Sequence, residues 1–375
     1  MQIEYNLKDW KSILFLFLIF IFLCACNRTD FSNPENVIKH YRELIANKEY
    51  ELTYDNYLSI SSRELLPKGE YLKIRQEGGS IKIINSAISE LSTGDSYNPN
   101  YKRFKEFETM ILKNDTDISK NDTLKRLSYY TLKNENGEWK IIFTESLLLF
   151  AQNKFNDGNY SEARKTLDKV IEIDPYSGKA YDLLAWTYLR DESIPATERE
   201  NGTVKNAKYA LDLEIDNPRH YNTFCAYYSS KNDVNLATDY LERGLKYCLN
   251  KRDKVITLLN ISSQYTHINN FYKAEDCLRR AALVDSNVTG IWFNYGEIFR
   301  LQSNYHEAIK YYKKALALPV MEKYLQGNLY GAYAECSLNT NDCVVAKEYI
   351  EKALDIQPTR SDFQILYKRI NNCSQ

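Results

Sequence analysis

Residues with the chemistry to hold a metal or attack a bond are few in this chain. Four histidines, His40, His220, His267 and His306, show no His-x-x-x-His or Glu-paired spacing, so they cannot converge on an ion from one helix face. Cys225, Cys248, Cys277, Cys336, Cys343 and Cys373 also lack the short paired spacings of metal ligands. Neither a glycine-rich phosphate loop nor a nucleophile motif is present. The expectation is a chain with no catalytic residues, no metal and no cofactor, whose function is binding. Lys+Arg 49 against Asp+Glu 50 leaves a net charge of −1, short of the concentrated basic surface that nucleic acid requires. The thiols read mainly as buried packing groups. A Cys336 to Cys343 bridge is one pairing the spacing allows, and the sequence leaves connectivity open.

Two further cysteines end an apolar run. Ile13 to Leu23 is 11 residues, about half of the roughly 20 that cross a bilayer as a helix, and it follows Lys8 and Lys11. This is the layout of a secretory signal peptide. Leu23-Cys24-Ala25-Cys26 resembles the bacterial lipoprotein signal, in which the last cysteine is lipidated and becomes residue one. The resemblance implies cleavage after residue 25, a lipid on Cys26 and a polar tether over residues 26–33. With Asn27 following the cysteine, it further implies the cell envelope, at the outer rather than the inner membrane.

The composition then turns helical: 31 Tyr against 13 Gly and 8 Pro favours long helices with half-buried aromatic contacts. One pattern recurs six times between residues 144 and 360, with windows beginning near Thr144, Gly178, Pro218, Val255, Thr289 and Gly327. In "WFNYGEIFRLQSNYHEAIKYYKKALALP" the spacing of Trp292, Tyr295, Gly296, Phe299, Tyr305, Ala308, Tyr312 and Ala315 resembles the tetratricopeptide repeat. The small residue of each first helix is Ala151, Ala185, Cys225, Ser262, Gly296 and Ala334. That of each second helix is Ala163, Ala207, Ala237, Ala274, Ala308 and Ala346. Bulk follows four residues later, at Leu167, Leu211, Leu241, Leu278, Tyr312 and Ile350. Antiparallel helices pack closely only where the crossing carries little side chain. Pro175, Pro218, Pro319 and Pro358 mark the ends of second helices. The resemblance implies a solenoid of about twelve helices, closed by a polar capping helix and tail over residues 361–375. "RDESIPATERENGTV" predicts a long turn and a short second helix in repeat two.

Residues 34–143 differ in texture. "NPENVIKHYRELIANKEYELTYDNYLS" predicts two helices, and "SIKIINSAISEL", "YKRFKEFETMIL", "TLKRLSYYTLK" and "GEWKIIF" read as strands, with Asn136-Gly137 as a hairpin turn. Helices followed by a meander resemble the cone-shaped nuclear-transport-factor-two superfamily. The fold class expected is mainly α: a helical-hairpin solenoid preceded by a small α+β cone-like domain.

In the tetratricopeptide family the first helices line a groove. Carried over residue by residue, that groove takes Asp182, Trp186, Asn222, Asn260, Ser263, His267, Asn294, Glu297, Arg300 and Glu335. Asn260 and Asn294 are equivalent positions whose amides suit the backbone of an extended peptide. The expected function is a membrane-anchored interaction scaffold whose partner is an envelope protein or an extended peptide segment. Alternatives are a small-ligand or enzymatic role of the cone-like domain, and glycan capture beside an outer-membrane transporter.

Overall fold

In a computed structural model of the protein, residues 30–77, 81–91, 98–112, 124–318 and 323–373 are described. The expected signal peptide with Cys24 and Cys26, and Pro319, lie outside them. The described residues form two compact units divided between Ala180 and Tyr181.

The first unit begins with helices α1 (Pro34–Ala46), α2 (Tyr50–Tyr57), α3 (Ile60–Leu65) and α4 (Lys68–Glu77). Asn33 caps α1 by accepting the Glu35 N–H, and Pro34 fills the first turn, where its missing donor costs nothing. Helices α3 and α4 occupy the stretch between the two expected helices and the first strand. Strands β1 (Ile81–Leu91), β2 (Tyr101–Leu112), β3 (Leu124–Glu135) and β4 (Glu138–Ile141) pair antiparallel in sequence order. Asn136 and Gly137 take φ of 56° and 89°, the left-handed pair that a two-residue hairpin turn requires. Val37, Ile38 and Tyr41 from α1 share a core with Leu58, Tyr71, Phe104 and Leu132. The same unit holds the first helical hairpin, α5 (Glu145–Asn156) and α6 (Tyr160–Ile173), with Ala151 and Ala163 fully buried.

Helix α7 (Gly178–Arg190) carries the chain across the division. The hairpins after it are completed by α8 (Ala196–Leu213), α9 (Pro218–Ser230), α10 (Val234–Leu245), α11 (Lys251–His267) and α12 (Phe271–Val284). Then come α13 (Thr289–Leu301), α14 (Tyr305–Leu316), α15 (Lys323–Asn339), α16 (Cys343–Ile356) and the capping helix α17 (Ser361–Cys373). A shared turn chemistry makes five of the six hairpins tight. Gly158, Asn232, Asn269, Ser303 and Asn341 sit at positive φ, and the next residue, Asn159, Asp233, Asn270, Asn304 or Asp342, caps the second helix.

Repeat two lacks that turn and departs from the expectation. Its second helix is not short: α8 has 18 residues and begins at Ala196, just after Pro195. The polar stretch reads as loop because it contains Gly202, yet Gly202 lies against the Tyr188 ring, where a Cβ would come within 2.4 Å of Cδ1. Close approach, not chain flexibility, accounts for that glycine. Helices α11 and α15 also start one turn before the windows predicted from Val255 and Gly327.

Cysteine connectivity, open in the sequence, is resolved by the fold: among the described residues four thiols are buried and free and two are bridged. Cys336 is buried and free, and Cys343 pairs instead with Cys373, 30 residues on, tying the start of α16 to the end of α17. Spacing favours a near neighbour, but Cys336 faces the core while Cys343 opens the next helix at the surface. Phe363, Leu366 and Ile370 of α17 cover Ala334, Ala346, Ile350 and Ala353.

Two outcomes follow from this packing. At Gly296 an added Cβ would stand 2.2 Å from Tyr312 Cε1. Gly296→Ala should therefore cost about 1–3 kcal/mol in urea unfolding, and adding Tyr312→Leu, the residue type that faces Ala elsewhere, should return part of that loss. Cys373→Ser should cost about 3–4 kcal/mol if the loop-closure account holds. In hydrogen exchange it should lower protection in α17 and leave α9–α14 unchanged; equal protection in α17 would mean that packing alone holds the cap.

Candidate functional site

The first helices of consecutive hairpins lie side by side: α11 packs on α13, and α13 on α15. These three present one wall; the ten sequence-predicted residues sit on them and on the first helices α7 and α9, and the structure sorts the ten into two groups.

The first group is engaged by neighbouring side chains, most of it between repeats. Asp182 on α7 accepts a hydrogen bond from Thr223 Oγ1 on α9 at 2.5 Å. His220, 1% exposed, lies between two carboxylates: its Nε2 donates to Glu214 Oε2 at 3.0 Å, and its Nδ1 is 3.4 Å from Asp182 Oδ1. Burial disfavours the charged imidazole, but the bonds and charges of Asp182 and Glu214 outweigh it and lift its pKa to about 9. His220 is thus an imidazolium that joins repeat two to repeat three. Sequence reading assigned it no role.

Glu297, Arg300 and Glu335 form the other engaged set. Arg300 grips Glu297 through Nε and Nη2 at 3.1 and 2.8 Å and reaches Glu335 through Nη1 at 3.0 Å. The hydroxyl of buried Tyr312 donates to Glu297 Oε1 at 2.5 Å. The Glu297 bonds outweigh the cost of burial and hold the guanidinium charged. Trp186, half-buried, carries the Arg190 guanidinium over its ring at 5.7 Å.

The second group stays open. Asn222, Asn260 and Asn294 are half-buried, and Ser263 and His267 are exposed. Among the described residues none of these five side chains makes a hydrogen bond. Asn260 and Asn294 each precede the small residue of their helix, Ser262 or Gly296, by two positions. Asn222 precedes Cys225 by three, so it is offset by about 100° around its helix. An amide brings one acceptor and two donors, and withdrawing them partly from water without partners is unfavourable.

The four free thiols are unsuited to chemistry. Burial pushes Cys277 up to about 11 and Cys336 up to about 12, so neither supplies thiolate near neutrality. No group of three or more His, Cys, Asp or Glu side chains that could hold a metal occurs among the described residues.

The small sheet domain has its own buried polar cluster. Glu106 on β2, fully buried beside Phe104, is ion-paired with Arg42 on α1 and accepts the Tyr130 hydroxyl at 3.1 Å. Strand alternation puts residues 104 and 106 on one face, a signal present in the sequence but not used there. His40 Nδ1 is hydrogen-bonded to the Tyr57 hydroxyl, which gives it a structural partner. Arg75 donates to the Tyr41 hydroxyl and stacks over Phe143 at 4.6 Å.

Residues 144–177 and 290–318 match models of the tetratricopeptide repeat, and these are the first and fifth hairpins. No curated protein matches the sequence. Among solved structures, PilF of Pseudomonas aeruginosa is 15% identical, covering 60% of this chain and 96% of its own, with a TM-score of 0.44. PilW, described as a type IV pilus biogenesis factor, is 15% identical over 60% and 97% of the two chains at a TM-score of 0.46. A tetratricopeptide repeat protein from Parabacteroides merdae is 15% identical over 61% and 86%, at 0.45.

The His220 contacts set a pH dependence. With a folded pKa of about 9 against the ordinary 6.5, their stabilisation is complete below pH 6.5 and is lost as pH rises through about 9. Urea midpoints from pH 6 to 10 should fall for the native chain relative to His220→Gln by the equivalent of roughly 3 kcal/mol. Parallel curves would contradict the charged state assigned to His220.

Proposed function

We propose that the chain is a lipid-anchored envelope scaffold whose first-helix wall holds an extended segment of a partner protein. The observation that carries this reading is the pair Asn260 and Asn294: half-buried amides at equivalent positions of two consecutive first helices, without a hydrogen-bond partner among the described residues. Helices in contact stand about 8–10 Å apart, and an extended strand advances about 3.3 Å per residue. One amide per helix would therefore meet the partner backbone about every third residue, leaving the side chains between to other pockets.

Two features support the anchoring part. Leu23-Cys24-Ala25-Cys26 has the lipoprotein layout, with Cys26 as the residue lipidated. The Cys343–Cys373 bridge fits maturation in an oxidising compartment, where disulfides persist. The sheet domain, read as a relative of the nuclear-transport-factor-two group, is then a packed module between the tether and the repeats. Anchoring confines the wall to a membrane surface, here read as the outer membrane, and raises the effective concentration of partners there.

In-cell crosslinking with mass spectrometry tests both parts. The native chain should capture one envelope protein. Asn260→Ala/Asn294→Ala should lose at least about ten-fold of that capture, since each lost pair of amide bonds is worth about 1 kcal/mol or more. Cys26→Ser should release the chain from the membrane fraction. Undiminished capture by the asparagine variant would overturn the groove, and retention of the Cys26 variant would overturn the lipid anchor.

A further inference from the structure

We infer that the α13–α15 end of the wall selects a lysine or arginine side chain on the bound segment. This rests on the groove reading above and adds a specificity to it. Two carboxylates, Glu297 and Glu335, share one guanidinium, Arg300, so the cluster keeps one negative charge. Glu297 is saturated: Arg300 binds both its oxygens, and the Tyr312 hydroxyl adds a bond to one of them. Glu335 is not. Arg300 takes its Oε2, and among the described residues nothing donates to its Oε1. At 37% exposure Glu335 is also the most open of the three, against 24% for Glu297 and 25% for Arg300.

The other wall carboxylate, Asp182, is engaged by the Thr223 hydroxyl and lies beside the His220 ring. The wall positions equivalent to Glu297 and Glu335 on the preceding first helices are Trp186, Ala226 and Ser263, none of them charged. Arg300, committed on both sides, is not available to an anionic ligand, so the end cannot clamp a terminal carboxylate. What it offers is an acceptor with residual negative potential on the helix next to the one that carries the open amide of Asn294, one turn before Glu297 on α13. A segment held at Asn294 would pass Glu335 on the next helix about three residues further on, which places the basic side chain.

The test uses the full-length chain in detergent and fluorescent 12-residue peptides of alanine, serine and threonine that carry a single Arg, Lys, Gln or Glu at each position in turn. Arg and Lys peptides should bind at least about ten-fold tighter than Gln peptides at low salt, with the preference shrinking as salt rises. Glu335→Gln, which keeps an oxygen for Arg300, should remove the preference, and Glu335→Lys should transfer it to Glu peptides. Asn260→Ala/Asn294→Ala should weaken all peptides alike. Binding that depends on the asparagines but ignores peptide charge, or a preference that survives Glu335→Gln, overturns this inference and leaves the groove standing. Absence of binding by every peptide overturns both.

Discussion

Two helices can come no closer than the side chains at their crossing allow, and every hairpin of the repeat region is built on that limit. Ala151 with Ala163 and Ala334 with Ala346 are fully buried pairs that bring helix backbones together. Where the neighbour grows, the crossing shrinks to match. Tyr312 stands where other repeats carry leucine or isoleucine, and the facing residue is Gly296. That exchange does more than preserve packing, because the Tyr312 hydroxyl passes through the hairpin to Glu297 on the wall. A core constraint thus fixes the position of a surface carboxylate, and through Arg300 that of the next repeat.

Close approach is also what made the repeats legible. Small residues at fixed intervals with bulk four positions later are a strong signal, since few other arrangements need both. The hairpin turn at Asn136-Gly137 was readable for a similar reason: it depends on a local preference of two residues. What failed was decided by tertiary contact. Gly202 reads as a helix breaker until the Tyr188 ring is seen against it, and Cys343 finds its partner only through the fold of α17. Sequence could not show which of the ten groove candidates were already committed to other side chains. Nothing in the spacing of Glu297, Arg300 and Glu335 distinguishes a mutual lock from three open groups.

The distinction matters because polar groups between helices serve two ends. The Asp182–His220–Glu214 and Glu297–Arg300–Glu335 sets satisfy one another and so hold adjacent repeats in register. Asn260 and Asn294 do the opposite, making no side-chain hydrogen bond to any described residue. An array stiffened by the first kind can hold the second kind at constant spacing, which a loosely stacked wall could not.

The bridge between Cys343 and Cys373 has a mechanical consequence. A helical array pulled from its last residue ordinarily unzips, one turn after another, because each lost turn exposes the next to load. Here tension applied at the end of α17 passes through the covalent link to the first residue of α16. The final hairpin must then yield in shear, with its packed faces sliding together, instead of peeling from the tip.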